Sequence, residues 1–376
     1  MSLAKLAWLM LLHWPWTKIS LLRYVLFRRR GVLVLTHAAD VDRNGVDNQM
    51  GPLVAALEER SEPIVHVVLT PLSAEGFFEQ RSRTGGFLSL GALFGAARLL
   101  APFLGGRRKA RARVAGWVLS LCAPRACYLI DESGSGQMWI SAARERGIPS
   151  IGIQHGDFAP DNHQYAPRPG EAFEVEPADC LCLWSPWFQE RLFAISPIYD
   201  SSNTFVTGRL AHARSEEREE KKEPEEDLQL RILLISEADA GFEASIGRYL
   251  SALRSHDEFE LRVRPHPSED KERWPPSERT DESLDRLLET SDLLVGVSSS
   301  ALLEGLRVGR PVLLLGSDPS GFVAGGAAEL CSDPSELPRM CLELGRGPKN
   351  LPARERVWGG VPADTISLIM EQSGLS

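Results

Sequence analysis

The chain has 376 residues, 43% of them hydrophobic and 25% charged, with 42 Lys+Arg against 51 Asp+Glu and a formal charge of −9. That length supports two domains with real cores, and the composition excludes wholesale disorder. The charge is uneven: residues 1–130 carry 17 Lys+Arg and 8 Asp+Glu, and the remainder carries 25 and 43, so a duplex nucleic acid is excluded as partner while the basic first part suits an anionic surface.

The chain opens on Leu3–Trp16, apolar except for Lys5 and His13, followed by Lys18, Arg23 and Arg28–Arg30. This stretch is short of the ~20 residues that span a bilayer. It has no small-residue cleavage site, and three tryptophans and Pro15 are poor material for a secretory signal. Residues 1–30 read either as a segment lying in a membrane interface or as a helix packed on the protein's own core.

From Gly31 onward short β-branched or apolar runs alternate with helical spacing. Strands are expected at Val32–Thr36, Ile64–Thr70, Ala126–Ile130, Ser150–Ile153, Leu181–Trp184 and Thr204–Thr207. A helix over Gln137–Arg146 ends at Gly147 before Pro149. This order predicts a parallel α/β sheet over residues 31–213. Between Glu79 and Asp131 there are nine basic residues and no acid. Within that stretch Gly86–Gly106 is apolar apart from Arg98 and runs into Arg107-Arg108-Lys109-Ala-Arg111-Ala-Arg113. It reads as an interfacial helix or hairpin beside a polybasic patch, with a lid or an internal helix pair as competitors.

Residues 214–227 (RSEEREEKKEPEED) hold eight acids, four bases and a proline, with no apolar residue, which describes a solvated linker. The pattern then restarts over 228–376. Strands are expected at Arg231–Ser236, Glu260–Arg264, Leu293–Val297 and Val312–Leu315, and helices at Phe242–Ser255, Asp281–Thr290 and Ala301–Val308. The last helix of the chain could return to the first domain. Two such domains on a polar hinge make a cleft, and ligands of these folds bind outside the carboxyl ends of the strands.

The strand ends therefore carry the candidate chemistry. Arg264-Pro-His266-Pro follows a strand, its prolines holding an arginine and a histidine where they can grip a phosphate. Ser298-Ser299-Ser300 follows the next buried strand and opens a helix, offering hydroxyls and free N–H groups to an anion. Glu304 lies about one turn further, where a carboxylate can accept ribose hydroxyls. In the first domain a strand ends on Gln154-His155-Gly156-Asp157, and either His155 or Asp157 can take a proton from an attacking hydroxyl. Asp131 and Glu132, after the preceding strand, are rival bases. Asp40-Val-Asp42 matches a short metal–nucleotide motif, but with Asn44, Asp47 and Asn48 nearby it reads as a polar loop, so Asp40 and Asn48 are taken as acceptor contacts and no metal site is expected. The six cysteines show no zinc spacing and fit a reducing compartment, and Cys180 and Cys182 read as small buried side chains of a strand.

The series Gln154-His155-Gly156, Val206-Thr-Gly208-Arg209, Arg264-Pro-His266-Pro, Ser298-Ser299-Ser300…Glu304 and Arg310-Pro311 resembles the two-domain GT-B glycosyltransferases of bacterial surface polysaccharides. Polysialyltransferase-like capsule enzymes and CDP-glycerol glycerophosphotransferases are the nearest in pattern. The resemblance covers about residues 31–320. It implies two Rossmann-like domains facing a cleft, acceptor on the first and nucleotide-activated donor (CMP-, CDP- or UDP-linked) on the second. It also implies donor phosphate at His266 and Ser298–Ser300, beside Arg264, and a histidine or acid of the first domain as the base. In sialyltransferases of this type the base lies in an acid-acid-Gly motif; here Ser133 separates Glu132 from Gly134, which shifts weight to His155 and Asp157.

The expectation is a metal-independent glycosyltransferase with no cofactor, a polysaccharide or lipid-linked acceptor and no nucleic acid. Its expected place is the cytoplasm, peripheral on the membrane's cytoplasmic face where the basic segments meet lipid. The alternatives are a UDP-sugar 2-epimerase-like enzyme and a non-catalytic, membrane-associated assembly subunit.

Overall fold

The computed structural model describes residues 31–37, 49–69, 88–89, 97, 101–103, 105–130, 134–159, 165–166, 175–210, 229–237, 242–266, 269–280, 282–347, 351–362 and 364–374. The charged run 214–227 and the N-terminal segment 1–30 lie outside them.

Seven strands form the first sheet: β1 (Val32–His37), β2 (Ile64–Leu69), β3 (Leu88–Ser89), β4 (Cys127–Leu129), β5 (Ser150–Ile153), β6 (Cys180–Leu183) and β7 (Thr204–Val206). Their order is β3-β2-β1-β4-β5-β6-β7, and every pairing is parallel. The helices are α1 (Gly51–Glu59), α2 (Arg107–Cys122), α3 (Gly134–Arg144) and α4 (Pro186–Ile195). Alternate residues of β1 face opposite layers, as strand geometry demands. Leu33 and Leu35 pack with Val118 and Leu119 of α2 and Trp139 of α3. Val32 and Val34 pack with Leu53 and Leu57 of α1 on the other face. Gly147 takes φ +62° and stops the chain after α3, as its position before Pro149 requires.

The second sheet holds β8 (Leu230–Ile235), β9 (Phe259–Arg264), β10 (Leu293–Gly296), β11 (Val312–Leu315) and β12 (Glu329–Cys331), in the parallel order β12-β11-β10-β8-β9. It is served by α5 (Phe242–Arg254), α6 (Leu284–Thr290), α7 (Ala301–Arg307), α8 (Leu337–Gly345) and α9 (Leu351–Trp358). One face buries Ile232, Leu234 and Val295 against Tyr249 and Leu250 of α5. A final helix, α10 (Thr365–Glu371), places Ile369 and Met370 in the core beside β1 of the first sheet, and Tyr128 Oη lies 2.6 Å from Ser373 Oγ. Gly208, at φ +93°, lets the chain pass so close to α10 that a Cβ there would sit 2.3 Å from Thr365 Oγ1.

Most strands fall within a residue or two of their expected positions. One strand is added to the reading: Leu88–Ser89, near the start of the apolar stretch 86–106, pairs with β2 as the edge strand of the first sheet, and most of the rest of that stretch lies outside the described residues. The short apolar run there, broken by glycines, carries no period that would have marked the strand. The polybasic run that follows lies in α2, whose other face is buried.

The two domains share a seam. Leu181, Leu183, Trp184 and Phe188 from the first join Leu233, Ile235, Leu294, Leu303 and Phe322 from the second in one continuous apolar cluster, with Val357 of α9. Trp184 stacks on Trp358, ring centroids 5.9 Å apart.

Candidate active site

All strands of each sheet run parallel, so the carboxyl ends of β8, β9 and β10 share one edge, and those of β5, β6 and β7 share another. On the second sheet Ser236 and Glu237 follow β8, which lies between β9 with its His266 turn and β10 with its Ser298 turn. Two carboxylates tie these turns together. Glu269, whose side chain is only 1% exposed, accepts hydrogen bonds from Ser236 Oγ (2.6 Å), the backbone N–H of His266 (3.0 Å) and Trp274 Nε1 (3.0 Å), and pairs with Arg273 at 3.1 Å. Glu237 accepts from the backbone N–H of Ser298 at 2.6 Å and from its hydroxyl at 3.0 Å. Pro265 is buried while the residue after it, His266, is exposed. Burial pulls the Arg264 guanidinium below its ordinary range, with the charge of Asp285 opposing.

The serines divide the work differently from a plain triple cap. Ser300 is the N-cap residue of α7 by position but makes no side-chain cap, and Ser299 Oγ accepts the N–H of Ala301 at 3.3 Å. Ser298 is held by Glu237, and its carbonyl accepts from Ser320 Oγ at 3.2 Å. Glu304 is 3% exposed; its Oε2 meets Arg209 Nη1 at 2.5 Å and Arg307 Nε at 3.1 Å.

On the first domain Gln154 fixes the turn that carries His155. Its side chain accepts from Trp184 N at 2.8 Å and donates to the carbonyl of Gly156 at 2.8 Å, while Trp184 Nε1 donates to the backbone carbonyl of Gln154 at 2.9 Å. His155 is half-buried on that turn. Asp157 differs from its expected place at an open cleft edge: its side chain is 6% exposed and receives Arg191 through Nε (3.1 Å) and Nη2 (2.9 Å). Burial raises its carboxyl above the ordinary value, with the Arg191 charge and hydrogen bonds pulling the other way. A carboxylate enclosed and bidentately held in this way is a structural bridge, because Arg191 also donates to the carbonyls of Ser320 and Gly321 on the second domain. Arg191 further lies over the Trp187 ring at 4.5 Å. Glu132, Asp40 and Asn48 lie outside the described residues.

The structure thus brings Arg264, His266, Ser298–Ser300 and Glu304 to one sheet edge. It links that edge to the His155 turn through Asp157–Arg191–Ser320, and Arg209–Glu304 joins α7 to the segment that follows β7. Glu237, Glu269 and Arg191 were missed from the sequence. Glu237 follows a strand directly and Glu269 stands three residues after His266, so position alone could have raised both. Nothing local marks Arg191, which sits mid-helix in α4. Among the described residues no group of three or more His, Cys, Asp or Glu side chains is placed to hold a metal ion, and no helix is long and apolar enough to cross a membrane.

No family model and no curated protein matches the chain. Solved structures do. The UDP-GlcNAc 2-epimerase of Neisseria meningitidis bound to UDP-GlcNAc aligns with TM-score 0.54 and 14% identity, over 90% of this chain and 98% of its own. The calicheamicin glycosyltransferase CalG4 aligns with TM-score 0.56 and 14% identity, over 92% and 99%. MurG of Acinetobacter baumannii aligns with TM-score 0.54 and 14% identity, over 92% and 99%. Identity this low speaks for architecture alone, and the architecture is GT-B: two parallel-sheet α/β domains whose strand ends meet across a seam.

Proposed function

We propose that the chain is a glycosyltransferase that moves a sugar or sugar-like group from a CMP-, CDP- or UDP-activated donor to a surface-polysaccharide or glycolipid acceptor, at the cytoplasmic face of the membrane. The observation that most supports this reading is the gathering of Arg264, His266, Ser298–Ser300 and Glu304 at one strand edge, tied across the seam to the turn bearing His155. In this reading Arg264, His266 and the serines take the donor phosphate and Glu304 takes the ribose. His155 accepts the proton of the acceptor hydroxyl, since Asp157 is committed to Arg191. Cationic and dipolar groups at the serine edge stabilise the departing nucleotide phosphate. Donor binding then requires Glu237 to release Ser298 and Arg209 to yield room at Glu304.

The test is a thermal-shift panel of CMP, CDP, UDP and GDP followed by transfer assays with His266→Ala and Ser299→Ala. Both variants should stay folded and lose transfer; activity retained in both would remove the donor-site assignment. The reading needs no metal, so EDTA should leave transfer unchanged, and inhibition reversed by Mn²⁺ would redirect attention to Asp40 and Asp42.

A second reading is favoured by the alignment with a 2-epimerase at the same level as with transferases. Turnover of a UDP-sugar with no acceptor present would select it.

A further inference from the structure

Helix α2 has one buried side and one that faces solvent. Ala115, Val118, Leu119 and Cys122 belong to the core of the first domain, and Ala110 packs against Ala97 and Ala101. The solvent side carries Lys109, Arg113 and Trp117, spaced four residues apart and therefore on a single ridge ~12 Å long. Trp117 is 46% exposed. Phe103, in the turn that leads into the helix, is 85% exposed, the highest value among the large apolar side chains of the described residues. Gly105 and Gly106, at φ +79° and +104°, turn the chain between Phe103 and the helix.

The helix carries charge of one sign. The helix starts Arg107-Arg108-Lys109, continues with Arg111 and Arg113, and contains no acid. Arg146 from the turn after α3 lies beside the C-terminal half of the helix, its Nε donating to Ser120 Oγ at 3.0 Å, and it pairs with Glu145 at 3.4 Å. A soluble polyanion would match the charge but would leave Phe103 and Trp117 in water. A bilayer interface satisfies both, since headgroup phosphates meet the cations while the aromatic rings enter the headgroup–acyl boundary.

We propose that the ridge Lys109–Arg113–Trp117, together with Phe103, is a peripheral docking surface for an anionic phospholipid bilayer. It seats the first domain, with its His155 turn, on the membrane. The proposal does not depend on the identity of the donor, because none of these residues lies at the nucleotide edge.

Vesicle co-sedimentation of the full chain tests it, with phosphatidylglycerol/phosphatidylcholine vesicles against pure phosphatidylcholine. Wild type should pellet with the anionic vesicles and not with the neutral ones. Phe103→Ser/Trp117→Ser and Lys109→Gln/Arg113→Gln should each weaken the partition at least tenfold. All four side chains are solvent-facing, so thermal midpoints should stay at the wild-type value; that comparison separates lost docking from lost fold. Wild-type partition in either double variant would overturn the proposal. So would loss with the charge variant alone, which would assign the ridge to a soluble polyanion. A drop in oligomeric state on gel filtration of the aromatic variant would also overturn it, by assigning the patch to self-association.

Discussion

Arg209, two residues past the Thr207 that follows β7, and Glu304, in the middle of α7, meet at 2.5 Å and so fasten the two domains to one another. The guanidinium also lies over the Trp184 ring, 5.3 Å from its centroid. The contact is one-pronged. Arg209 Nε and Glu304 Oε1 are both buried and take no hydrogen bond among the described residues. A buried carboxylate depends on its counter-charges, so removing a partner costs more than the pair itself contributes. Arg307 remains beside Glu304 after Arg209 is lost, which softens the effect. Arg209→Met should therefore destabilise by about 2 kcal/mol, and Glu304→Gln by a similar amount. The double variant should cost less than the two together, as read from urea unfolding in a double-mutant cycle.

Asp157 makes stability depend on pH. Its native carboxyl titrates above the ordinary value because burial outweighs the help from Arg191. The native state thus holds this proton more tightly than the unfolded chain, and the contribution is fully present below the unfolded value. It is lost as pH rises through the native one. Urea unfolding of wild type and Asp157→Asn from pH 3.5 to pH 7 should show wild type falling relative to the variant as pH rises. A difference that stays flat, or that runs the other way, would contradict the assignment.

Glu269 organises the His266 turn from beneath, with four donors on one enclosed carboxylate. Glu269→Ala leaves those donors without their acceptor and should cost about 3 kcal/mol. In the proposed reading it should also weaken nucleotide binding about as much as His266→Ala does, because the turn would no longer hold its shape. Calorimetric titration alongside chemical unfolding separates the two effects.

Gly208 occupies a left-handed conformation and lies against the C-terminal helix. Gly208→Ala combines backbone strain with contact on Thr365 and should cost about 3 kcal/mol. Adding Thr365→Ala relieves the nearer clash but not the strain or the contact with Val361, so the double variant should recover only part of the loss. Thermal unfolding of the pair checks this.

Much of the plan was legible because it is periodic. The strands around Ser150–Ile153 and Leu293–Gly296 are short apolar runs bounded by turns, and Gly147 before Pro149 announces a helix end. The His266 and Ser298 turns could be named as candidates from position alone, since strand ends in parallel sheets face the ligand. Leu88–Ser89 was not legible: two residues carry no period, and only pairing with β2 makes them a strand.

The uneven charge, the alternation of strands and helices and the residue types at the strand ends were set by the chain itself, because each depends on neighbours within a few residues. Which of those groups are spoken for was decided only in three dimensions. Asp157 and Arg191 are 34 residues apart in sequence, Ser298 and Glu237 are 61 apart, and Arg209 and Glu304 belong to different domains. No local pattern encodes such partnerships, because a buried charge takes whichever counter-charge the packing of the two sheets brings within reach. The same packing turned a basic run into a ridge, by burying one side of α2 and leaving Lys109, Arg113 and Trp117 on the other.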